Sequence, residues 1–211
     1  MLTEWNEILR EEWYSREEPD EIVVNFANSL KKKRQVIRVL DLGCGAGRHL
    51  VFLSKQRFEA HGVDVSETGL TLTKEKLRRQ NLEVYLAKCD MKNLPHVNSC
   101  FDAVVCLHTI YHQRLEGIQK TIFEIQRILR QEGLLLINFL SKRTYSYGKG
   151  IEIEENTFTE QSGVEAGVLH HFTDEKEIRY LFKNFKILNL QLVEKTVEGK
   201  LRSRWILTAK T

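Results

Sequence analysis

Residues 39–50 read VLDLGCGAGRHL, which places Asp41 two positions ahead of the alternating glycines Gly43, Gly45 and Gly47. Three missing Cβ atoms let the backbone turn sharply and approach a ligand closely. A dinucleotide fingerprint spaces its glycines as GxGxxG, so that a helix N-terminus faces a pyrophosphate. An acid just ahead of Gly-x-Gly-x-Gly instead repels a pyrophosphate and suits a cation. Two further acids end apolar runs, Asp64 after residues 60–63 and Asp90 just past residues 84–87. A carboxylate at the first place can accept both hydroxyls of a ribose. At the second it can accept from an adenine amino group, with Met91 as an apolar neighbour. Each acid alone reads equally well as a helix cap or a solvated loop residue. Three of them at the ends of three successive strands form a constellation.

A second reactant needs its own groups. His108, Tyr111 and His112 follow the apolar run 101–107, and any of the three could work as a general base. Packing against the next helix is the competing role for His112. Tyr145, Tyr147 and Lys149 lie in SKRTYSYGKG, able to fold over a cleft or to pack locally. His170 and His171 are adjacent, so at most one should reach a site. With no carboxylate at ligand spacing beside them, the expectation is no metal. Trp5, Trp13 and Tyr14 could form a lid, or the tryptophans could serve the core.

Positioning these groups requires strands that alternate with helices. Leu2, Trp5, Ile8, Leu9 and Trp13 keep helical spacing up to Pro19. Asp20 then caps a helix carrying Ile22, Val23, Phe26, Ala27 and Leu30. Strands are expected at 36–40, 60–63, 84–87, 101–107 and 134–139. Helices are expected after the glycine loop, after a Ser66 cap, and through Ile118 to Leu129, where Gly133 stops the helix. Nearly all-apolar strands separated by helices mean a parallel sheet covered on both faces. Runs 187–193 and 202–208 flank a turn at Glu198-Gly199 and are too close for a parallel return, so they form an antiparallel hairpin. Residues 141–171 show no period.

These segments resemble the class I S-adenosylmethionine-dependent methyltransferases. VLDLGCGAGRHL looks like that family's first motif, GVDVSETGL its ribose-binding second strand, AKCDMKNLP the third and FDAVVCLHTIYHQ the fourth. LRQEGLLLINF resembles the approach to the fifth strand. The resemblance implies a doubly wound, mostly parallel seven-stranded sheet with helices on both faces and a C-terminal antiparallel hairpin. It also implies S-adenosylmethionine as donor and S-adenosylhomocysteine as product. The donor carries a sulfonium and an ammonium and no phosphate, in keeping with Asp41. By the same likeness Asp41, Gly43, Cys44, Gly45 and Gly47 lie near the methionine part, Asp64 and Val65 at the ribose, and Asp90 and Met91 at the adenine. Backbone at Cys106 and Leu107 lines the methionine end. Residues 1–35 and 141–171 match no motif of the family.

The 211 residues are 42% hydrophobic and 29% charged, the composition of one α/β domain, 1–211. Within it, 1–35 is a possible lid and 141–171 a possible cover for the acceptor. Cys44, Cys89, Cys100 and Cys106 lack CxxC spacing and read as reduced cytoplasmic thiols. There is no signal-peptide pattern or membrane span. A net charge of +3, spread as mixed signs, disfavours nucleic acid without excluding it. The basic run from Lys31 to Arg34 suits a helix C-terminus. No Asn/Asp-Pro-Pro-Tyr segment follows the fourth strand, which speaks against an adenine or glutamine amide acceptor. A small-molecule acceptor is therefore expected. An RNA or protein acceptor, a non-catalytic donor-binding protein and, last, a nicotinamide oxidoreductase remain as alternatives. Oligomeric state and acceptor atom are not encoded in any motif.

Overall fold

The computed structural model describes residues 2–11, 16–31 and 37–211. Two helices lead in, α1 (Leu2–Ile8) and α2 (Glu21–Leu30). Then come β1 (Arg38–Leu42), α3 (Arg48–Lys55), β2 (Glu59–Asp64), α4 (Glu67–Arg79), β3 (Tyr85–Lys88), β4 (Phe101–Cys106), α5 (Leu115–Ile128) and β5 (Leu129–Ser141). The chain closes with β6 (Ile151–Glu154), β7 (Thr157–Thr159), β8 (Leu169–Thr173), α6 (Glu175–Leu181), β9 (Lys186–Val197) and β10 (Lys200–Lys210).

The main sheet runs β3-β2-β1-β4-β5, all parallel, and β10 adds to β5 antiparallel with β9 beyond it. These are the seven strands expected, including the C-terminal hairpin. Successive residues of one strand go to opposite faces. Leu40 and Val104 join a core with Ile118, Ile122 and Ile125 of α5 and Phe182, whereas Val39, Ala103 and Val105 join Val23, Phe26 and Leu30 of α2 and Leu50 and Leu53 of α3. Every residue of β4 is buried. Apart from Asp102, which is held by Arg38 N–H and Arg130 Nη1, the strand is apolar on both sides, so no alternation marks it in the sequence. The strand order reverses between β1 and β4, which places a cleft at their carboxyl ends.

Three strands go beyond the expected seven. Residues 141–171 were expected without structure of their own, yet β6 pairs β7, β7 pairs β8, and β8 joins the end of β5 in parallel at Leu140–Phe172 and Ser141–Thr173. Their short mixed sequences carry little period of their own, and pairing across 30 residues supplies the order. A second difference lies at Gly133, which does not stop a helix. α5 ends at Ile128, and Leu129 is already extended and paired with Phe101, a bulge carrying the register on to Ala103–Leu134. Glu132 at φ +60° and Gly133, where a Cβ would meet the Arg130 carbonyl at 2.7 Å, make that bulge. Trp13, Tyr14, the start of the first predicted strand at Val36 and the basic run beyond Lys31 lie outside the described residues.

Ser66 caps α4 as expected, its Oγ accepting from the Gly69 N–H at 3.0 Å. Glu198 (φ +52°) and Gly199 (φ +72°) turn β9 into β10 with both central residues left-handed, the geometry of a two-residue type I′ hairpin. Asparagine tolerates that region better than glutamate. Glu198→Asn should therefore stabilise the chain by about 0.5–1 kcal/mol, a rise of ~1–4 °C in Tm by calorimetry. An unchanged or lower Tm would mean that this turn is not strained.

Candidate functional site

The glycine loop is built so that its own donors are consumed. The N–H groups of Gly43 and Cys44 both donate to the Val63 carbonyl, at 2.9 and 3.0 Å, and Gly47 N–H donates to the Cys44 carbonyl at 2.8 Å. Gly45 N–H donates to Asp64 Oδ2 at 2.8 Å, while Asp64 Oδ1 accepts from Ser66 N–H at 2.8 Å. Thr73 Oγ1 donates to the Gly45 carbonyl at 2.9 Å. All three glycines have positive φ, and Thr109 and Thr73 fill the space beside Gly43 and Gly47, where a Cβ would come within 2.4–2.5 Å of their hydroxyls. A loop that gathers a phosphate aims its N–H groups outward. Here Gly43, Cys44, Gly45 and Gly47 turn theirs inward.

Asp41 presents the opposite character. It is 2% exposed and its Oδ2 has no partner. Burial pushes its carboxyl up to about 6, against the pull of His49, Arg48 and the Leu50 backbone N–H. A buried, half-unpaired carboxylate at the end of β1 is a place for a cation with N–H donors. Burial also raises Asp64, opposed by its backbone N–H partners. The loop therefore offers a ligand the negative charge of Asp41 and Asp64 with its glycine N–H groups already engaged, and so fits an ammonium-bearing one.

The N-terminal helices lie over this loop. Asn6 Oδ1 accepts from Ser66 Oγ–H at 2.8 Å and Thr68 N–H at 3.2 Å, and Leu9 stands against Gly45 and Gly69. Asp20, at the N-cap of α2, makes no side-chain cap bond. Its Oδ2 instead meets His108 Nε2 at 2.6 Å and Arg48 Nη2 at 3.0 Å, with His49 Nε2 at 3.6 Å. Asn138 and Arg204 both donate toward His108 Nδ1 at 3.2 Å, so the proton sits on Nε2 and is given to Asp20. Burial holds His108 down at about 4 despite that contact, which keeps the ring neutral; burial also opposes ionisation of Asp20, but the His108 N–H, His49 and the Arg48 guanidinium hold it far below the usual carboxylate range. Nε2 thus fastens the start of α2 to the rim, and Nδ1 ties the ring to β5 and β10.

Beyond β4, His112 Nδ1 donates to the Leu169 carbonyl at 3.1 Å, and His171 N–H donates to the Tyr111 carbonyl at 2.8 Å. The ring of His112 is packed by Trp5, Tyr111 and His170, with centroids 4.8, 4.5 and 4.8 Å away. Burial lowers His112 to about 3 and raises Tyr111 to about 12, so both are neutral at pH 7.

Residues 39–133 match the methyltransferase domain family. That match, over a little under half of the chain, and the fold of the solved methyltransferases support the resemblance to the class I S-adenosylmethionine-dependent methyltransferases. It is similar to a SAM-dependent methyltransferase of Methanosarcina mazei, with a TM-score of 0.77 and 18% identity over 92% of this chain and 98% of that one. It also resembles the 1,6-didemethyltoxoflavin-N1-methyltransferase of Burkholderia thailandensis, solved with its acceptor and S-adenosylhomocysteine, with a TM-score of 0.68 and 21% identity over 96% and 81%. By sequence it is 26% identical over 169 residues to the glycine/sarcosine N-methyltransferase of Aphanothece halophytica, covering 73% of this chain and 62% of that protein. The chain spans about half the length of the curated relatives it matches, 41–62% of the first three.

Against that family frame, Asp41, Gly43, Cys44, Gly45, Gly47 and Asp64 converge on the β1 and β2 ends. Cys106 and Leu107 are buried at the end of β4. Asp90 is exposed and occupied by Lys92, whose backbone N–H donates at 3.0 Å and whose Nζ lies 3.1 Å from Oδ2. Met91 Sδ accepts from Gln113 Nε2 at 3.2 Å. Sequence reasoning missed Asp20, Arg48, Asn138, Arg204 and Glu165, because their partners lie 28 to 96 positions away or, for Glu165, inside a segment with no motif. Among the described residues no helix is long and apolar enough to cross a membrane.

Asp41 carries a pH signature. Its carboxyl titrates near 6 when folded and near 3.8 when unfolded, so stability is fully present below pH ~4 and lost as pH rises through ~6. Asp41→Asn cannot ionise. Without ligand it should melt above the parent at pH 8, by an energy of order 3 kcal/mol, the gap closing toward pH 5. Equal melting curves at both pH values would mean that Asp41 bears no buried charge.

Proposed function

We propose that this chain transfers a methyl group from S-adenosylmethionine to a small-molecule acceptor in the cytoplasm, as one domain over residues 1–211. The observation that carries this reading is the inward turn of the glycine loop N–H groups beside the half-unpaired carboxylate of Asp41. In this reading Asp41 meets the donor's ammonium, and Gly43, Cys44, Gly45 and Gly47 allow its close approach. Asp64 takes the ribose hydroxyls beside Val65. A carboxylate has about four acceptor sites, and two backbone N–H bonds leave Asp64 the remainder. Asp90 and Met91 border the adenine, with Asp90 shared by Lys92, while backbone at Cys106 and Leu107 lines the methionine end.

The donor supplies a methyl carbon already activated by a sulfonium. The protein's part is to hold the acceptor in line and exclude water, an effect of up to about 7–11 kcal/mol. The described part of residues 1–35 serves as the lid, and residues 141–171 cover the acceptor, with Tyr111, His112 and His170 at its rim. His108 is a positioning residue, since its two nitrogens hold Asn138, Arg204 and Asp20. Relatives that bear on the acceptor are the glycine/sarcosine N-methyltransferase and the 1,6-didemethyltoxoflavin-N1-methyltransferase, both named for small molecules. Unpaired cysteines suit a reducing compartment.

Calorimetry with S-adenosylhomocysteine should show at least tenfold weaker binding by Asp64→Asn, with a lower Tm because the amide keeps only one of the two backbone bonds, and with circular dichroism confirming the fold. Normal binding by that variant would refute the ribose placement. Methyl-labelled donor with cell extract should label the metabolite fraction. Label in RNA or protein instead would overturn the acceptor class, and donor binding with no label in any fraction would favour a non-catalytic protein.

A further inference from the structure

Three side chains from distant positions meet at the acceptor rim. The ligating atoms of His112, Glu165 and His170 lie within 4.8 Å of one another, and both histidines are buried. Sequence spacing led to the opposite expectation, because no carboxylate flanks the His170-His171 pair and His112 lies 58 positions upstream. β8 brings them together. It is zipped to the loop after β4 by the bond from His171 N–H to the Tyr111 carbonyl, and turns around residues 163–168 lead Glu165 back beside His170.

The orientation of the rings is the decisive feature. His112 Nδ1 faces the Leu169 carbonyl at 3.1 Å and His170 Nδ1 faces the Val168 carbonyl at 3.2 Å. A carbonyl only accepts, so each Nδ1 meets its carbonyl as a donor, and a ring without a proton at Nε2 presents a lone pair there. Backbone carbonyls at Nδ1 commonly fix histidine for ligation in this way. His170 Nε2 stands 2.8 Å from Glu165 Oε2, a contact closed either by a ring proton or by a cation that both groups share. Two donors on one ion at ~2.0–2.2 Å stand roughly 3–3.5 Å apart, close to this spacing.

We propose that His112, Glu165 and His170 hold one divalent transition-metal ion, with Zn²⁺ the natural occupant. Two imidazoles and a carboxylate are the donor set suited to Zn²⁺, Fe²⁺, Mn²⁺ or Co²⁺, and three protein ligands leave open positions. Glu165 is the most exposed of the three and marks the side of access. Trp5 closes the other side over His112. An open position here would take an oxygen, nitrogen or sulfur atom of the acceptor. Only that last step rests on the methyltransferase reading; binding of the ion does not.

The test uses the whole chain, without an affinity tag, stripped by chelator and dialysed. Zn²⁺ is titrated by calorimetry and Co²⁺ by its visible absorption. One equivalent per chain is expected, with a Co²⁺ spectrum of low-symmetry nitrogen and oxygen ligation. Glu165→Gln, nearly isosteric, and His170→Ala should each weaken binding by at least about tenfold, with circular dichroism confirming the fold. S-adenosylhomocysteine binding is measured on the same samples. Its failure would strike the donor reading alone. Binding below one equivalent, or equal affinity in both variants, would overturn the metal site and leave an imidazolium–carboxylate pair as the reason for the 2.8 Å contact.

Discussion

The carboxylate of Asp64 sets the geometry on which the rim depends. One oxygen holds Gly45 and the other holds Ser66, so the β1–α3 loop and the β2–α4 turn are fastened to a single side chain. The Ser66 hydroxyl then caps α4 and also reaches Asn6, which seats the first helix. Charge-assisted bonds to backbone N–H groups are among the stronger ones available, and burial strengthens them further. Without this bond Gly45 N–H would be free to serve an anion. With it, the loop turns electron-rich, and Asp41 beneath it keeps one oxygen unpaired.

A second polar cluster does for α2 what Asn6 does for α1. Asp20, which the sequence offers as a helix cap, spends its carboxylate on His108, Arg48 and His49 instead. The cap site of α2 keeps its extended backbone, and the Asp20 carbonyl still begins the helix, accepting from Val23 and Val24. The cost of losing one cap bond, about 1 kcal/mol, is offset by tying the helix to the rim. His108 itself sits at φ +59°, a strained conformation for a histidine at the end of a buried strand. Strain of that kind persists only where neighbours over-determine it, and Asn138 binds both the backbone N–H and the ring of His108.

The two halves of the rim differ in how they are made. The half at the ends of β1 and β2 is local to the strand–loop–helix units and uses residues close in sequence. The half beyond β4 is assembled by β6, β7 and β8, an added set of strands that departs from the end of β5 and packs Phe158 and Phe172 around Tyr147. It brings His170 and Glu165 beside His112.

The order of the seven main strands, the glycine loop, the Ser66 cap, the Glu198-Gly199 turn and the acids at strand ends were all legible in the sequence. Each rests on a local rule: side-chain period, steric freedom of glycine, or capping within three residues. The strands of residues 141–171, the bulge at Gly133, the diversion of Asp20 from its cap and the meeting of His112 with Glu165 and His170 were not. Those depend on which groups lie near one another once long loops have closed, and a one-dimensional pattern holds no record of distance across 30 to 90 residues. The sequence by itself determined a parallel, doubly covered sheet with an acid-rimmed glycine loop. Only the tertiary structure decided which partners the ring nitrogens of His108, His112 and His170 meet, because a tautomer is set by the partner that each ring nitrogen meets in space.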